Sequence, residues 1–257
     1  MKINTSILNR LKSLIVFLLI LFLWIIISKL NLFSSFVFPE PDRVWAAFIS
    51  MCKSGELFRH LSNSLLRVIE GFTLSFLLAF IFSIIKSLHK NTNHWFTGLF
   101  EFSRHVPPMS LIPLLILWFG IGEAPKIIVI VLTSFFPMFM NMESGIEECD
   151  KKLVEVGEVL KMSPREIFFK IKLPSALPQI LTGMQIGLGY SWRAIVGAEM
   201  IAASRGLGYM ILDSQTMSRT DKVIVGIILI GLMGLLMDLF FSLVIKKINW
   251  QRKNKNE

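Results

Sequence analysis

Residues 147–178 read EECDKKLVEVGEVLKMSPREIFFKIKLPSALP, a charged interval set between long apolar runs. Leu153, Val154, Val156, Val159 and Leu160 have the spacing of a short amphipathic helix, able to bury one face and offer the other. A second helix start follows: Ser163 fits the N-cap, Pro164 the first helical position and Glu166 the reciprocal site of a capping box. Ile167, Phe168, Ile171 and Leu173 line one face of that second helix, Arg165, Lys170 and Lys172 stay polar, and Pro174 is expected to stop it. Two short helices meeting at Lys161-Met162 make a compact knob. The bland alternative is a charged loop that merely joins two membrane helices, but capping and amphipathicity agree against it.

The rest of the chain says what carries the knob. Of its 257 residues 53% are hydrophobic, and they gather in blocks rather than alternating with polar ones, which is the pattern of a membrane protein. Lys and Arg exceed Asp and Glu by 27 to 18, yet most of the basic residues flank apolar runs. That distribution fits the positive-inside rule better than a nucleic-acid surface. Cys52 and Cys149 fall on opposite sides of the membrane in the topology below, so no disulfide between them is expected. His60, His89, His94 and His105 lie outside the apolar spans without metal-ligand spacing, and no metal site is expected.

The pattern predicts an all-α membrane protein, a single domain over 1–257 with six transmembrane helices at about 11–30, 63–86, 106–122, 126–143, 178–201 and 222–245. The first, with Lys2, Arg10 and Lys12 before it, also begins like a secretory signal peptide. No small-residue cleavage site follows it, and the downstream spans need the chain to stay in the membrane. Between the first two spans, Pro41 opens a stretch in which Val44, Trp45, Phe48 and Ile49 share a helical face, expected to lie along the membrane surface. With both termini inside, segments 1–12, 86–105, 143–178 and 246–257 hold 17 Lys and Arg, against 9 in the external segments. The count places the 147–178 loop on the cytoplasmic side.

Ionisable residues inside a span are costly and usually face a cavity or a partner. Arg193 and Glu199 are six residues apart in the fifth span, about 600° around a helix, so they point to different faces. Two readings of Arg193 stand: it attracts an anion in a translocation path with Trp192 flanking it, or it pairs with a carboxylate elsewhere or snorkels. Asp238, in the last span, is a further such residue, with a packing partner and a substrate contact both open to it. Gly206 and Gly208 allow a tight external turn, part of an outer gate. No GxxxxGK[ST] loop and no Ser-His-Asp constellation occurs, so the chain is expected neither to hydrolyse ATP nor to need a cofactor. A stand-alone secondary transporter or channel should show inverted repeats or polar rings, and a membrane enzyme should gather catalytic groups near one face. Neither pattern is visible.

Glu155-Val156-Gly157, then Ser163, then Ile171-Lys172-Leu173-Pro174, resembles the EAA loop of ABC-importer permeases of the binding-protein-dependent family. Val106-Pro107-Pro108 with the run from Ile112 to Glu123 is similar to that family's third helix. The run from Glu199 to Tyr209, with its Ser204-Arg205-Gly206-Leu207-Gly208, resembles the nitrate, sulfonate and taurine branch. The resemblance implies a type I importer permease fold in the bacterial inner membrane, multi-pass with both termini cytoplasmic, whose loop docks into a cytoplasmic ABC ATPase dimer. It further implies a second permease subunit, most simply a homodimer, and an extracytoplasmic solute-binding protein. Substrates would be small solutes such as sulfonates, taurine, nitrate or vitamin precursors. The docking set carried over is Glu155, Val156, Gly157, Lys161, Met162, Ser163, Leu173 and Pro174, with Glu155 the acidic contact. One departure stands out: Lys161 occupies the place, six residues after Glu155, where the family pattern has glycine. A left-handed turn there costs a non-glycine residue about 1 kcal/mol.

Overall fold

The computed structural model describes residues 5–30, 34–88, 98 and 101–253, with backbone alone at 5–14, 17 and 249–253. His89 and His94 lie outside the described residues. Among the described residues every regular element is a helix. In chain order these are α1 (Thr5–Lys29), α2 (Pro41–Lys53), α3 (Glu56–Leu88), a 3-10 turn (Pro108–Leu111) leading into α4 (Ile112–Phe119), and α5 (Glu123–Glu147). Then come α6 (Lys151–Val159), α7 (Pro164–Ile167), a π-helical turn (Phe168–Lys172), α8 (Leu173–Ala202), α9 (Leu207–Thr216) and α10 (Thr220–Lys253). The chain divides into two compact units, Met1–Arg59 with Met210–Leu229, and His60–Tyr209 with Ile230–Glu257.

In the first unit, Pro41 opens α2 and Val44, Ala47 and Met51 face inward at helical spacing. Trp45 is turned outward and stacks on Phe48 at 5.4 Å between ring centroids. The expected apolar face of 44, 45, 48 and 49 is therefore split, with Val44 packed inside and Trp45 outside. Lys222 clamps Glu56 through both carboxylate oxygens at 2.8 and 2.9 Å. Arg219 does the same for the buried Asp221.

The second unit is built on α5 against α8. Met138, Phe139, Met142 and Ile146 of α5 pack with Ala176 and Ile180 of α8, with Phe168 from the π-helical turn and Ala79 from α3. The approach is close because α8 offers glycine where α5 offers bulk: a Cβ on Gly187 would sit 2.7 Å from Met138 Cγ. Small residues at helix contacts serve this purpose in membrane proteins, where dispersion contact rather than the hydrophobic effect holds helices together. A second cluster joins Ile112 and Leu115 of α4, Val129 of α5, and Ala194, Ala198 and Ala202 of α8.

Among the described residues three helices are long and apolar enough to cross a membrane: Glu56–Leu88, Glu123–Glu147 and Thr220–Ile248. A fourth candidate is the pair Pro164–Ala202 and Leu207–Thr216, bent by 44° at its break. The part of α1 over Leu18–Lys29 and the stretch Pro108–Phe119 are apolar as well. By length and composition, three of the six spans expected from the pattern are present among the described residues, and four with the bent pair. The third is the clearest difference: over 106–122 the chain forms a 3-10 turn and an eight-residue helix closed by Gly120 at φ 75°. Eight residues rise only about 12 Å, against a hydrocarbon core of about 30 Å.

A second difference concerns Pro174, which does not stop the helix. The turn Phe168–Lys172 widens to π-helical spacing, with the Leu173 N–H donating five residues back to the Phe168 carbonyl, and the helix continues through Pro174 and Pro178 to Ala202. The wider turn accommodates a residue that has no N–H to give and whose ring would crowd a normal turn. The second helix of the knob consequently runs on into α8 rather than standing as a separate piece.

Candidate functional site: a capped knob and a buried carboxylate clamp

The knob is fixed by its caps. Asp150 accepts a hydrogen bond from the Lys152 N–H at 2.9 Å and opens α6. At the other end the Met162 N–H donates to the Gly157 carbonyl at 3.0 Å and the Lys161 N–H to the Glu158 carbonyl at 2.9 Å. This is the pair of bonds of a Schellman motif, which demands a left-handed residue between them, and Lys161 takes that conformation at φ 57°. Ser163 then caps α7: its Oγ accepts from the Glu166 N–H at 3.3 Å while its own N–H donates to Glu166 Oε2 at 3.0 Å. Lys170 adds an ion pair to Glu166 at 3.0 Å.

Within the knob, Gly157 is buried because α6 rests on α7 and the π-helical turn there; a Cβ would lie 2.9 Å from Ile171 Cδ1 and 3.2 Å from Ile167 Cγ1. The apolar residues of α6 point the other way. Leu153, Val156, Val159 and Leu160 are all exposed, Val159 at 81%. The face expected to be buried is therefore the face on offer, and only the glycine side packs inward. Glu155 is exposed as well and, with Val154, Glu158 and Lys151, lines a cavity of about 650 Å³. Ser83, Lys86 and Ser87 of α3 and Glu143 and Glu147 of α5 line it as well, with Lys86 and Glu143 ion-paired.

The second constellation gathers Glu199, Arg67, Ser64, Glu123, Lys126 and the backbone of 205–208. Glu199 is completely buried on α8. Its carboxylate accepts from Ser64 Oγ at 2.8 Å, from Arg67 Nη1 at 2.8 Å and from the Gly208 N–H at 3.1 Å. Arg67 also donates from Nη1 to the Arg205 carbonyl at 2.7 Å, and through Nε and Nη2 to the two oxygens of Glu123 at 2.6 and 2.9 Å. Lys126, one turn into α5, donates to Glu123 Oε1 at 2.8 Å and is itself buried. The Leu207 N–H donates to Ser64 Oγ at 2.9 Å and the Gly206 N–H to His60 Nδ1 at 3.1 Å. Two cations face two anions, so the cluster is neutral and each buried charge has a partner, the condition under which such groups persist away from water.

This arrangement explains both glycines after α8. Gly206 adopts φ 123°, and a Cβ on it would overlap the Glu199 carboxyl group; a Cβ on Gly208 would overlap the Val196 carbonyl oxygen. The helix break at 203–206 is thus folded back on α8, with the Gly208 N–H aimed at the carboxylate.

The residues singled out in the sequence are separated by these contacts. Glu199, Gly206 and Gly208 come together in one cluster. Trp192 is buried and donates from Nε1 to the Ile230 carbonyl at 3.0 Å. Arg193 is exposed, its guanidinium 5.9 Å from the centroid of the Tyr190 ring, and among the described residues it makes no ion pair. Arg67 and Lys126 were counted as external flanking charges by sequence patterning, yet both are buried clamp members. The available signal was local: Ser64 and Arg67 lie three apart on one helical face, and Glu123 and Lys126 repeat that spacing.

Long apolar helices, a broken and bent span, paired buried charges and an exposed capped knob define a polytopic helical membrane protein. The particular kind follows from likeness to known proteins: residues 71–250 match the family of binding-protein-dependent transport system inner membrane components, and the chain belongs to that family. It is 38% identical over 237 residues to the aliphatic sulfonates transport permease protein SsuC of Bacillus subtilis, covering 92% of this chain and 86% of the relative. Against the taurine transport system permease protein TauC of Escherichia coli it is 32% identical, with 86% and 82% covered. The bicarbonate transport system permease protein CmpB of Synechococcus elongatus is 32% identical, with 72% and 67% covered. Among solved structures, the inward-facing MetNI methionine ABC transporter shares the fold at TM-score 0.66 and 15% identity, covering 75% of this chain and 95% of that one. An amino acid ABC transporter follows at TM-score 0.64 and 18% identity, covering 78% and 98%. The chain is a transmembrane permease subunit of an ABC importer, and its family works with an ATPase and a substrate-binding protein.

Proposed function

We propose that this permease pairs with a second copy of itself to form the translocation pathway for a small oxyanion, each copy contributing six membrane segments with both termini in the cytoplasm. In this reading α1 and α4 complete the set, α4 as a short segment set among its neighbours. The knob of residues 147–178 docks into a cleft of a cytoplasmic ATPase subunit on a separate chain, where ATP is hydrolysed, and carries its movement to the gate. Glu155 supplies the polar contact, Met162 and Ser163 hold the turn, and Leu173 and Pro174 join the knob to α8. The observation that carries this reading is the outward display of Leu153, Val156, Val159 and Leu160 on a helix capped at both ends. An isolated knob has no reason to expose four apolar residues while burying a glycine, and a rigid docking element has one.

The oxyanion follows from chemistry that the named relatives have in common. Aliphatic sulfonates, taurine and bicarbonate are alike only in a small anionic oxygen group. Arg193, exposed on α8, is the cation we assign to meet it in the pathway. The docking assignment is tested by Glu155→Lys in the complex assembled with its ATPase and binding protein. The variant permease inserts normally and loses substrate-stimulated ATP hydrolysis; stimulation equal to that of the parent would refute the assignment.

A further inference from the structure

Arg67 is used on two sides that differ in one respect. Its inner side, Nη1, is sealed by Glu199, which has no exposed surface, and by the Arg205 carbonyl. Its outer side, the Nε–Nη2 fork, is covered by the carboxylate of Glu123 alone, and that side chain is 60% exposed. Lys126 Nζ lies on the same carboxylate, 2.8 Å from Oε1, and its side chain is only 3% exposed. Three nitrogen donors on two nearly buried cations thus converge on one oxygen pair that belongs to a surface residue.

We infer that the Arg67 fork with Lys126 is an anion-binding site in which Glu123 is the resident occupant, and that a small oxyanion of sulfonate, carboxylate or bicarbonate type takes its place when Glu123 swings outward. The proposal rests on the reading of the chain as an oxyanion permease, and it assigns that substrate class a site apart from Arg193. The shape matches: a guanidinium fork receives two oxygens of a planar or tetrahedral oxyanion in parallel hydrogen bonds, and the ammonium meets one of them from the side. The charge matches as well. With Glu123 in place, Arg67 and Lys126 balance Glu123 and Glu199. With Glu123 rotated into solvent, Arg67, Lys126 and Glu199 leave one net positive charge at the fork, which an incoming monoanion cancels. The swing itself removes no buried partner from Glu199, whose own bonds to Ser64, Arg67 and Gly208 stay formed. Glu123 is the first residue of α5 and is joined to α4 through Gly120, the exposed Ile121 and Gly122.

Glu123 competes with any anion from within the chain, at an effective concentration in the millimolar range or above. Removing its charge should therefore raise the affinity for a free anion by about tenfold or more. The experiment uses the full transporter in lipid nanodiscs, titrated with sodium methanesulfonate and followed by calorimetry, with dimethyl sulfone as the neutral isostere and sodium chloride at matched ionic strength. Parent, Glu123→Gln and Glu123→Gln/Lys126→Gln proteins are compared. The expected result is methanesulfonate binding at least tenfold tighter in Glu123→Gln than in the parent, reversed in the double variant, with no binding of the sulfone. Equal methanesulfonate affinity in parent and Glu123→Gln overturns the site, as does a gain that survives loss of Lys126. Uptake assays on the parent with its binding protein separate the two readings. If the parent imports oxyanions while Glu123→Gln gains no affinity, this site alone falls; if the parent imports none, the oxyanion reading falls.

Discussion

Replacing Glu199 by glutamine tests the clamp with the smallest change of shape. The parent carboxylate receives donors on both oxygens: Arg67 Nη1 and Ser64 Oγ at Oε1, and the Gly208 N–H and Ser64 Oγ at Oε2. A carboxamide has one oxygen and one NH2. Whichever way it is turned, the NH2 meets a group that can only donate, the Arg67 guanidinium in one orientation and the Gly208 N–H in the other. Ser64 Oγ can accept from the NH2 through its second lone pair with its O–H turned to the His60 carbonyl, but that leaves the Arg67 or Gly208 donor still facing the NH2 with no acceptor. Removing one partner of a buried ion pair typically costs 3–5 kcal/mol. Arg67 keeps both bonds to Glu123 here, which sets the expectation at the lower end, about 3 kcal/mol. For a chain of this size that corresponds to a fall in Tm of roughly 6–12 °C. Thermal unfolding of the detergent-solubilised transporter, followed by tryptophan fluorescence, measures it. Lys170→Gln is the control, because its ion pair with Glu166 is exposed and contributes little. If Glu199→Gln melts within about 2 °C of the parent, the carboxylate is not the keystone of the 203–208 segment and the argument fails.

Gly208→Ala places a methyl group on the Val196 carbonyl oxygen, so folded yield should collapse, whereas Gly231→Ala, with open space at its Cβ, should be tolerated; equal yields refute the packing account. Lys161→Gly relieves the left-handed turn at φ 57° and should stabilise the knob by about 0.5–1 kcal/mol. Slower amide hydrogen exchange at residues 158–163 reports the gain, and faster exchange contradicts it. Arg193→Gln should lower uptake of the transported anion by on the order of tenfold through loss of a charge-assisted contact, and unchanged uptake of every sulfonate, taurine and bicarbonate sample removes Arg193 from the pathway.

By itself the sequence determined whatever depends on neighbours along the chain. Capping at Ser163 and Glu166 is a three-residue affair, and it forms as read. Lys161 follows equally from the end of α6, since a Schellman closure needs one left-handed residue wherever it occurs. Apolar block length set the helical class, and the motifs from Glu155 to Pro174 and from Glu199 to Tyr209 carried the family. Tertiary structure decided what depends on residues far apart. The apolar side of α6 faces outward because Gly157, the one residue without a side chain, is what fits against Ile167 and Ile171. Pro174 is passed rather than obeyed, because a widened turn ahead of it keeps the helix running into the packed face of α8. The clamp is the sharpest case: Arg67 and Glu199 are 132 residues apart, and no periodicity links them. Each alone reads as a misplaced charge, and only folding, which brings α3, α5 and α8 together, turns two liabilities into one satisfied network.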